Sequence, residues 1–268
     1  MNPPTDAGGP RQITLSERIL LFLSRKPESK DYAIGHDHWT PDGALAQFCR
    51  CFPNFMSRVV GKEILDFGCG TGFQSVALVK KGAKRVVGID IEKYYVEKAR
   101  QFAAEAGVTE RTEFVSRFED SLGGRFDLVI CQNSMEHFYD PAGALKQMRT
   151  ALRPEGVLLL TFGPPWFAPY GSHAQYFVRV PWINILFDER TVMSVRNRFR
   201  PDGASTYEQG GLNQMTVKKF ERIVRDAGMR LDYRKYDCVK GMNFLGNLPA
   251  IRELFVNQIS CALIRVEK

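Results

Sequence analysis

Three glycines follow an apolar run within residues 63–72, which read EILDFGCGTG. The apolar residues are typical of a buried strand, and residues 73–81 have the composition of a helix that stops at Gly82. Glycines between a strand and a helix let the backbone turn tightly, and they let a ligand approach the main-chain N–H groups at the helix start. The stretch therefore predicts a ligand-binding turn at the edge of a sheet.

Strand-like and helix-like segments continue to alternate after this turn. Strand-like runs cover residues 85–90, 112–116, 126–132 and 157–162, and helical patterns cover residues 93–106 and 141–152. The same signals indicate one more helix and two closing strands, in residues 216–227, 229–236 and 258–266. This order predicts an α/β fold with a largely parallel sheet.

The chain divides into five segments. Residues 61–162 are predicted to form the core of the sheet, and residues 216–268 to add a C-terminal helix and the closing strands. Residues 163–215 are rich in proline, aromatic residues and arginine without a regular period, which predicts a cap or lid. Residues 13–60 are predicted to be N-terminal helices that cover the ligand, and residues 1–12 to be a flexible tail without the features of a secretory signal.

The composition is that of an ordinary soluble globular protein. The chain has 268 residues and a formal charge of +7, with 44% hydrophobic and 25% charged residues, which excludes a disordered or fibrous protein. The longest apolar runs are far shorter than a membrane-spanning helix. Six scattered cysteines give neither a disulfide framework nor the spacing of metal ligands. We therefore expect a cytoplasmic protein with no spanning helix and no metal.

A carboxylate follows the second predicted strand. Asp90 lies 22 residues after Gly68, where a carboxylate can accept two hydrogen bonds from a ribose diol. The glycine spacing is G-x-G-x-G with Phe73 next, so the turn is not the G-x-G-x-x-G fingerprint of dinucleotide-binding proteins. It also lacks the Gly-Lys-Ser/Thr ending of a P-loop.

Residues 60–162 resemble the class I S-adenosylmethionine-dependent methyltransferases. The resemblance is carried, in chain order, by the glycine-rich turn, by Asp90, by NSMEH at 133–137 and by LRPEG at 152–156. It implies a three-layer Rossmann-like sheet of seven strands with the last strand antiparallel. It also implies S-adenosylmethionine as cofactor, with S-adenosylhomocysteine as product, and a cofactor site formed by Asp66, Gly68, Cys69, Gly70, Gly72, Asp90, Ile91, Phe118, Glu119, Gln132 and Asn133.

The resemblance also implies roles within that site. Asp66 would lie near the methionine amino end, Asp90 would hold the ribose hydroxyls, and Ile91 would pack on adenine. The chain departs from the family after the third strand, where Phe118 takes the place of an acidic residue that often reads the adenine amino group. We expect Phe118 to pack on adenine or to offer its backbone N–H, and Glu119 or its neighbour to accept from the exocyclic amine.

Two histidines are the candidate catalytic residues. Methyl transfer from a sulfonium is an in-line displacement, so it needs positioning, and it needs a base only if the acceptor must lose a proton. His137 follows the fourth strand at a position common in the family, and His173 follows the fifth. Each can be a base, or it can be structural, with His137 orienting its loop and His173 hydrogen-bonding within the cap.

The cap also supplies candidate substrate contacts. Trp166, Tyr170 and Tyr176 could line an acceptor pocket, although aromatic residues in a lid more often pack than react. Arg196 and Arg198 belong to a basic cluster that could hold a phosphate or carboxylate. The alternative is a solvated helix face, because one short cluster is not a nucleic-acid footprint.

The N-terminal segment and one part of the cap remain open to several interpretations. Residues 36–39, HDHW, have closely spaced candidate metal ligands but no third and fourth ligand, so no metal is expected. Residues 32–39 are predicted to close over the cofactor instead. The apolar residues 19–22 and 180–187 could lie on a membrane surface, line the pocket or form a homodimer contact.

The sequence thus predicts an S-adenosylmethionine-dependent methyltransferase that acts on a small or medium organic acceptor. A candidate histidine base slightly favours O-methylation over N- or C-methylation. One alternative is an RNA or protein methyltransferase, with nucleic acid the less expected partner. A second alternative is a non-catalytic protein that only binds the cofactor.

Overall fold

A seven-stranded sheet forms the centre of the computed structural model, which describes residues 12–27 and 43–266. The strands are β1 (Glu63–Phe67), β2 (Arg85–Ile89), β3 (Thr112–Val115), β4 (Phe126–Gln132), β5 (Leu152–Phe162), β6 (Met229–Cys238) and β7 (Val256–Arg265). Their order is β3-β2-β1-β4-β5-β7-β6, with parallel pairing through β5 and with β7 antiparallel to both of its neighbours. This sheet confirms the predicted fold class.

Helices cover both faces of the sheet. They are α1 (Leu15–Leu23), α2 (Ala46–Cys51), α3 (Phe73–Lys80), α4 (Lys93–Glu105), α5 (Pro141–Ala151), α6 (Ile183–Leu186), α7 (Glu189–Phe199), α8 (Val217–Asp226) and α9 (Arg252–Phe255). Apolar residues of α2, α3 and α4 share one buried cluster with one face, and those of α5 and α8 share another with the opposite face. The result is the predicted three-layer arrangement.

The sequence of β4 shows how its side chains are distributed between the two faces. Successive side chains of a strand point to opposite faces, so Leu128 and Ile130 join the α2–α4 cluster while Val129 and Cys131 join the α5/α8 cluster. The unbroken apolar run is therefore buried on both sides, as in other parallel sheets. The side chain of Gln132, the last residue of β4, lies on the face that α2 covers, at the carboxyl edge of the sheet.

The start of α5 follows the local signals in the sequence. The side chain of Asp140 accepts a hydrogen bond from the backbone N–H of Gly143 at 2.9 Å, and Pro141 is the first helical residue. Asp140 satisfies an N–H group that would otherwise lack a partner at the helix start, and the fixed φ of proline suits the first position. The helix begins where the sequence predicted.

Residues 163–215, the predicted cap, enclose an apolar cluster of their own. Members include Phe177 and Val192 of this segment and Leu20 of α1. The backbone N–H of Arg25 donates to the carbonyl of Phe177 at 2.7 Å. The first helix therefore packs on the cap, whereas α2 packs against the sheet. In residues 12–27 and 43–266 there is no helix of the length and apolarity that crossing a membrane requires.

The closing hairpin is longer than predicted. β6 reaches Cys238 rather than residue 236, and β7 begins at Val256 rather than at residue 258. The 17 residues between them form two short 3₁₀ turns and α9. Because β6 runs parallel to β5, this insertion lies at the carboxyl edge of the sheet, on the same side as the glycine turn.

Candidate functional site

The three glycines of the turn after β1 have different surroundings. Gly68, Gly70 and Gly72 all have positive φ, at 82°, 51° and 79°. A β-carbon on Gly68 would lie 2.6 Å from the Ser134 hydroxyl, and one on Gly72 would lie 2.7 Å from Cβ of Ala99. A β-carbon on Gly70 would meet nothing within 4 Å. The turn therefore opens to free space at Gly70, where a ligand can come close to the backbone.

Asp90 lies directly beside this opening. Its Oδ2 accepts the backbone N–H of Gly70 at 2.9 Å, and its Oδ1 accepts that of Glu92 at 3.0 Å. Burial raises the pKa of Asp90, while the two backbone hydrogen bonds lower it. Each carboxylate oxygen can accept more than one hydrogen bond, so Asp90 is fixed in orientation and still able to accept from a diol. The next residue, Ile91, is 78% exposed.

Asp66 points into the fold, toward the first turn of α3. Its side chain is 2% exposed, and it accepts hydrogen bonds from Ser75 Oγ at 2.6 Å and from Gln74 Nε2 at 3.5 Å. Burial raises the pKa of Asp66 to about 7, against the lowering effect of the Ser75 hydrogen bond. The contacts tie the end of β1 to α3, so Asp66 fixes the glycine turn. Its predicted place beside the methionine amino end stays a prediction.

The remaining residues predicted at the nucleoside end differ in exposure. Phe118 is partly buried against the α5/α8 cluster, and Glu119 is exposed with Arg117 Nε 3.5 Å from its carboxylate. Cys69 is buried, and burial raises the pKa of its thiol well above the usual range. The backbone N–H of Cys69 donates to the carbonyl of Ile89 at 2.9 Å. The ligand contacts predicted for Cys69, Phe118 and Glu119 stay predictions.

A cluster of side-chain amides lies at the carboxyl edge of β4. The Oε1 atom of Gln47, on α2, accepts from Gln132 Nε2 at 2.7 Å and from Asn133 Nδ2 at 3.0 Å. Asn133 Oδ1 accepts in turn from Gln47, Thr161 and Gln258, at 3.2, 3.3 and 3.2 Å. Gln132 Oε1 is buried and receives no hydrogen bond from the described residues. The cluster therefore presents one acceptor without a donor, beside the end of β1.

The structure brings the two candidate catalytic histidines together. The rings of His137 and His173 pack edge to face, with their centroids 5.2 Å apart at an interplanar angle of 85°. Nδ1 of His137 lies 2.8 Å from the carbonyl oxygen of Gly211. A carbonyl only accepts, so Nδ1 carries a proton, and in the singly protonated ring Nε2 keeps its lone pair.

His173 is held in its uncharged form. Burial, followed by the charge on His137, lowers its pKa to about 4. Its Nε2 lies 3.4 Å from the carbonyl oxygen of Pro164, and its φ is positive, at 53°. A neutral His173 allows its neighbour to take up a proton without repulsion between like charges.

Glu136 joins the loop after β4 to the cap. Its side chain is 3% exposed, and its Oε1 accepts the backbone N–H of Gly163 at 3.0 Å. Its backbone carbonyl accepts the N–H of Asn213, whose Nδ2 donates to the carbonyls of Met135 and Phe138 at 2.9 and 2.8 Å. Burial raises the pKa of Glu136. The contacts fix the loop that carries His137 against the end of the cap.

Arg196 has a role inside the cap that the sequence did not indicate. Its two terminal nitrogens donate to the two carboxylate oxygens of Asp202, both at 2.7 Å, and its side chain is buried. The guanidinium is therefore paired with a carboxylate of the same chain, and its contact with a substrate anion stays a prediction. Arg198, two residues further on α7, is exposed, and its substrate role stays a prediction.

The three aromatic residues predicted to contact substrate take part in cap packing. The ring of Trp166 packs edge to face on Tyr207 with centroids 4.7 Å apart, and Tyr176 packs on Phe177 at 4.9 Å. The hydroxyl of Tyr170 donates to a backbone carbonyl at 3.4 Å. The hydroxyl of Tyr176 is buried and receives no partner from the described residues. Of these three residues, Tyr176 is the one whose side chain has a buried polar atom without a hydrogen-bond partner among the described residues.

Two further expectations concern the N-terminal segment. The HDHW stretch at 36–39, and the closure over the cofactor predicted for residues 32–39, lie outside the described residues. Within the described residues, no group of three or more His, Cys, Asp or Glu side chains is arranged to hold a metal ion.

Comparison with known proteins agrees with the fold of this chain. Residues 59–163 match the family model described as a methyltransferase domain. The ubiquinone biosynthesis O-methyltransferase of Haemophilus ducreyi is 32% identical over 146 residues, which are 50% of this chain and 61% of that protein. The chain thus spans less than two thirds of the length of that curated relative.

Two solved structures share the fold at low sequence identity. The S-adenosylmethionine dependent methyltransferase of Mesorhizobium loti has a TM-score of 0.56 and 20% identity, over 84% of this chain and 100% of that one. The (4+2)-cyclase SpnF has a TM-score of 0.54 and 14% identity, over 93% of each chain.

Residues 59–163 therefore match a methyltransferase domain, and the described chain has the Rossmann-like fold that it shares with the S-adenosylmethionine dependent methyltransferase of Mesorhizobium loti. The resemblance drawn from the glycine turn and Asp90 is confirmed at this level. The same fold in a cyclase shows that the reaction must be argued from the site and not from the fold.

Proposed function

We propose that this protein is an S-adenosylmethionine-dependent methyltransferase that methylates a hydroxyl oxygen of a small or medium organic acceptor. The observation that carries the proposal is the Asp90 carboxylate, oriented by the backbone N–H groups of Gly70 and Glu92 beside the one open glycine of the turn. The name of the relative from Haemophilus ducreyi, an O-methyltransferase, supports the same reaction.

The residues around the turn fit this cofactor. Asp90 has acceptor capacity left for the ribose hydroxyls, and the exposed apolar side chain of Ile91 offers a surface for adenine. At the other end, the unfilled Oε1 of Gln132 fits the ammonium group of the amino-acid moiety, with Asn133 and Gln47 holding the amide in place. Sequence reasoning missed Gln47.

The acceptor chemistry is assigned to the histidine pair. When bound, S-adenosylmethionine supplies an electrophilic methyl group on its sulfonium. His137 keeps the lone pair of Nε2 available because Gly211 fixes the proton on Nδ1, so it can remove the proton of an acceptor hydroxyl. His173 stays neutral and packs against that ring, which makes it a positioning residue in this proposal.

The cofactor assignment is tested by calorimetric titration with S-adenosylhomocysteine, with NADH as the ligand that should not bind. Asp90→Ala should weaken binding by about 1.5–3 kcal/mol, roughly 10- to 150-fold, the range for hydrogen bonds to a charged group. Glu92→Ala is the matched control, because it removes a neighbouring carboxylate but keeps the backbone N–H that orients Asp90. Unchanged affinity in Asp90→Ala would mean that the site is misplaced.

The role of Gln47 is tested with two ligands that differ only at the amino-acid end. Gln47→Leu should weaken S-adenosylhomocysteine binding by roughly 3- to 10-fold, because Gln132 and Asn133 lose the partner that holds them. Binding of 5′-methylthioadenosine, which lacks the amino-acid end, should not change. Arg50→Ala, an exposed substitution on the same helix, serves as the control. Equal losses for both ligands would contradict this assignment.

Two surface features bear on whether the protein has partners other than a small acceptor. Arg196 is neutralised by Asp202, which weakens the case for an RNA or protein substrate. On α1, Leu15, Ile19 and Phe22 form an exposed apolar stripe that supports the predicted contact with a membrane surface or a second copy of the chain. A cytoplasmic location stays a prediction.

A further inference from the structure

A second cavity lies beside His137. It has a volume of about 300 Å³ and opens between the loop after β4, the end of the cap and the first turn of α8. Its lining includes His137, Phe138, Glu208, Asn213 and Lys219. The volume is at the lower end of the range for small-molecule sites, so the cavity suits a compact ligand.

Lys219 brings a positive charge into this cavity without a counter-ion. Its Nζ donates to the backbone carbonyl of Asn213 at 2.8 Å, and in the described part of the chain no carboxylate lies within 4 Å of it. Burial, and then the charge of Arg222, lower the pKa of Lys219. The one carboxylate side chain of the lining, Glu208, is exposed. A partly buried ammonium that lacks an anion is stabilised when a ligand supplies one.

The same cavity contains groups that suit a hydroxyl. His137 lines it, and the proton that Gly211 fixes on Nδ1 leaves Nε2 as an acceptor. The side-chain oxygen of Asn213 is buried and receives no hydrogen bond from the described residues. A cation and a base therefore border one compact space, and the amide oxygen of Asn213 lies buried beside it.

The cavity is also close to the glycine turn. The ring of Phe138, which lines the cavity, packs edge to face on Phe67 with the centroids 5.6 Å apart. Phe67 is the last residue of β1 and directly precedes Gly68. One pair of rings thus separates the cavity from the turn that holds the proposed cofactor.

We propose that this cavity is the acceptor subsite and that it selects a hydroxylated carboxylic acid, with the carboxylate on Lys219 and the hydroxyl at His137. The inference rests on the proposed function and names its substrate class. A monoanionic carboxylate matches the single ammonium group, whereas a dianionic phosphate would leave a negative charge uncompensated near Glu208.

The test uses three probes that share a 4-hydroxyphenyl ring and differ in the charge of the side chain. Calorimetric titration of the cofactor-free protein with 4-hydroxyphenylacetate, 2-(4-hydroxyphenyl)ethanol and tyramine should show binding in that order. The anion should bind about tenfold tighter than the neutral alcohol, as for a charge-assisted hydrogen bond. Lys219→Gln should remove this preference, and Lys219→Arg should keep it.

Lys218→Gln is the matched control, because Lys218 is exposed one residue earlier on α8 and does not line the cavity. The inference is overturned if Lys218→Gln and Lys219→Gln behave alike, if the alcohol binds as tightly as the anion, or if none of the probes binds. Inorganic phosphate that displaces the anion more strongly than acetate does would overturn the choice of a carboxylate.

The cofactor proposal is checked separately on the same proteins. S-adenosylhomocysteine should bind Lys219→Gln as tightly as it binds the unmodified chain, because Lys219 is not among the residues assigned to the cofactor. Failure of the unmodified chain to bind S-adenosylhomocysteine would remove the proposed function. Failure of the charge series, with that binding intact, would remove only the acceptor inference.

Discussion

Gly72→Ala should destabilise the protein by about 2–5 kcal/mol, the sum of the strain of an alanine at positive φ and of overpacking in the core. The β-carbon would lie 2.7 Å from Cβ and 3.1 Å from Cα of Ala99. Ala99 is fully buried on α4, so the obstacle includes helix backbone that cannot move aside without disturbing the core. Chemical denaturation would measure the loss as a lower midpoint.

The same substitution at Gly70 should have a different result. The added β-carbon meets nothing within 4 Å, so only the left-handed backbone is strained, at about 1–2 kcal/mol. The methyl group would, however, occupy the open side of the turn next to Asp90. We therefore expect Gly70→Ala to remain folded and to lose at least about tenfold in affinity for S-adenosylhomocysteine, an effect of about 1.4 kcal/mol or more.

A substitution at a third glycine separates the effect of backbone strain from the effect of blocking the ligand. Gly107 has a φ of 68° and open space around its Cβ position, but it lies just beyond α4, away from the turn. Gly107→Ala should show the stability loss of Gly70→Ala without its loss of affinity. If Gly70→Ala and Gly72→Ala lose stability and affinity to the same extent, the division of the turn into one open and one packed glycine is wrong.

The sheet could be predicted because its signals are local. Buried parallel strands are continuous apolar runs, and α5 begins at a capping aspartate followed by proline. The prediction was less accurate where pairing is irregular. β5 begins at Leu152 rather than at residue 157, because Leu152 already pairs with Phe126 before a register shift. The proline and glycine in that segment indicated a turn, and only the partner strand reveals the pairing.

The side-chain contacts of the site could not be predicted because they depend on tertiary structure. Gln47 is 85 residues away from Gln132 in sequence, and no local pattern on α2 indicates that pairing. His137 and His173 were each identified as candidates, yet their contact depends on how the cap returns to the loop after β4. Arg196 was predicted as an anion contact from its basic neighbours, and no local pattern indicated that it pairs with Asp202.

Asp66→Asn should make the cofactor-free protein more stable at neutral and alkaline pH. The pKa of Asp66 is raised from 3.8 to about 7 by burial, so between these values the folded state holds a proton that the unfolded chain has lost. The stabilising contribution of this proton is complete below pH 3.8 and is lost as the pH rises through 7. Asparagine keeps the shape of the side chain and cannot ionise.

His173 has the opposite effect in an overlapping range. Its pKa is lowered from 6.5 to about 4, so the unfolded chain binds the extra proton and stability increases as the pH rises through this range. The two contributions oppose each other in the unmodified protein and flatten its profile. Both proteins share the contribution of His173. It therefore cancels when the free energy of unfolding of the unmodified chain is subtracted from that of Asp66→Asn.

That difference in the free energy of unfolding should increase by about 3 kcal/mol between about pH 5 and pH 8. This value follows because each unit of pKa shift corresponds to about 1.36 kcal/mol. Urea denaturation at several pH values would measure it. Ser75→Ala removes the hydrogen bond that lowers the pKa of Asp66, so in that variant the decrease in stability should extend to higher pH. A difference that does not vary with pH would show that Asp66 is ionised in the folded protein throughout, with its charge stabilised by groups around the glycine turn.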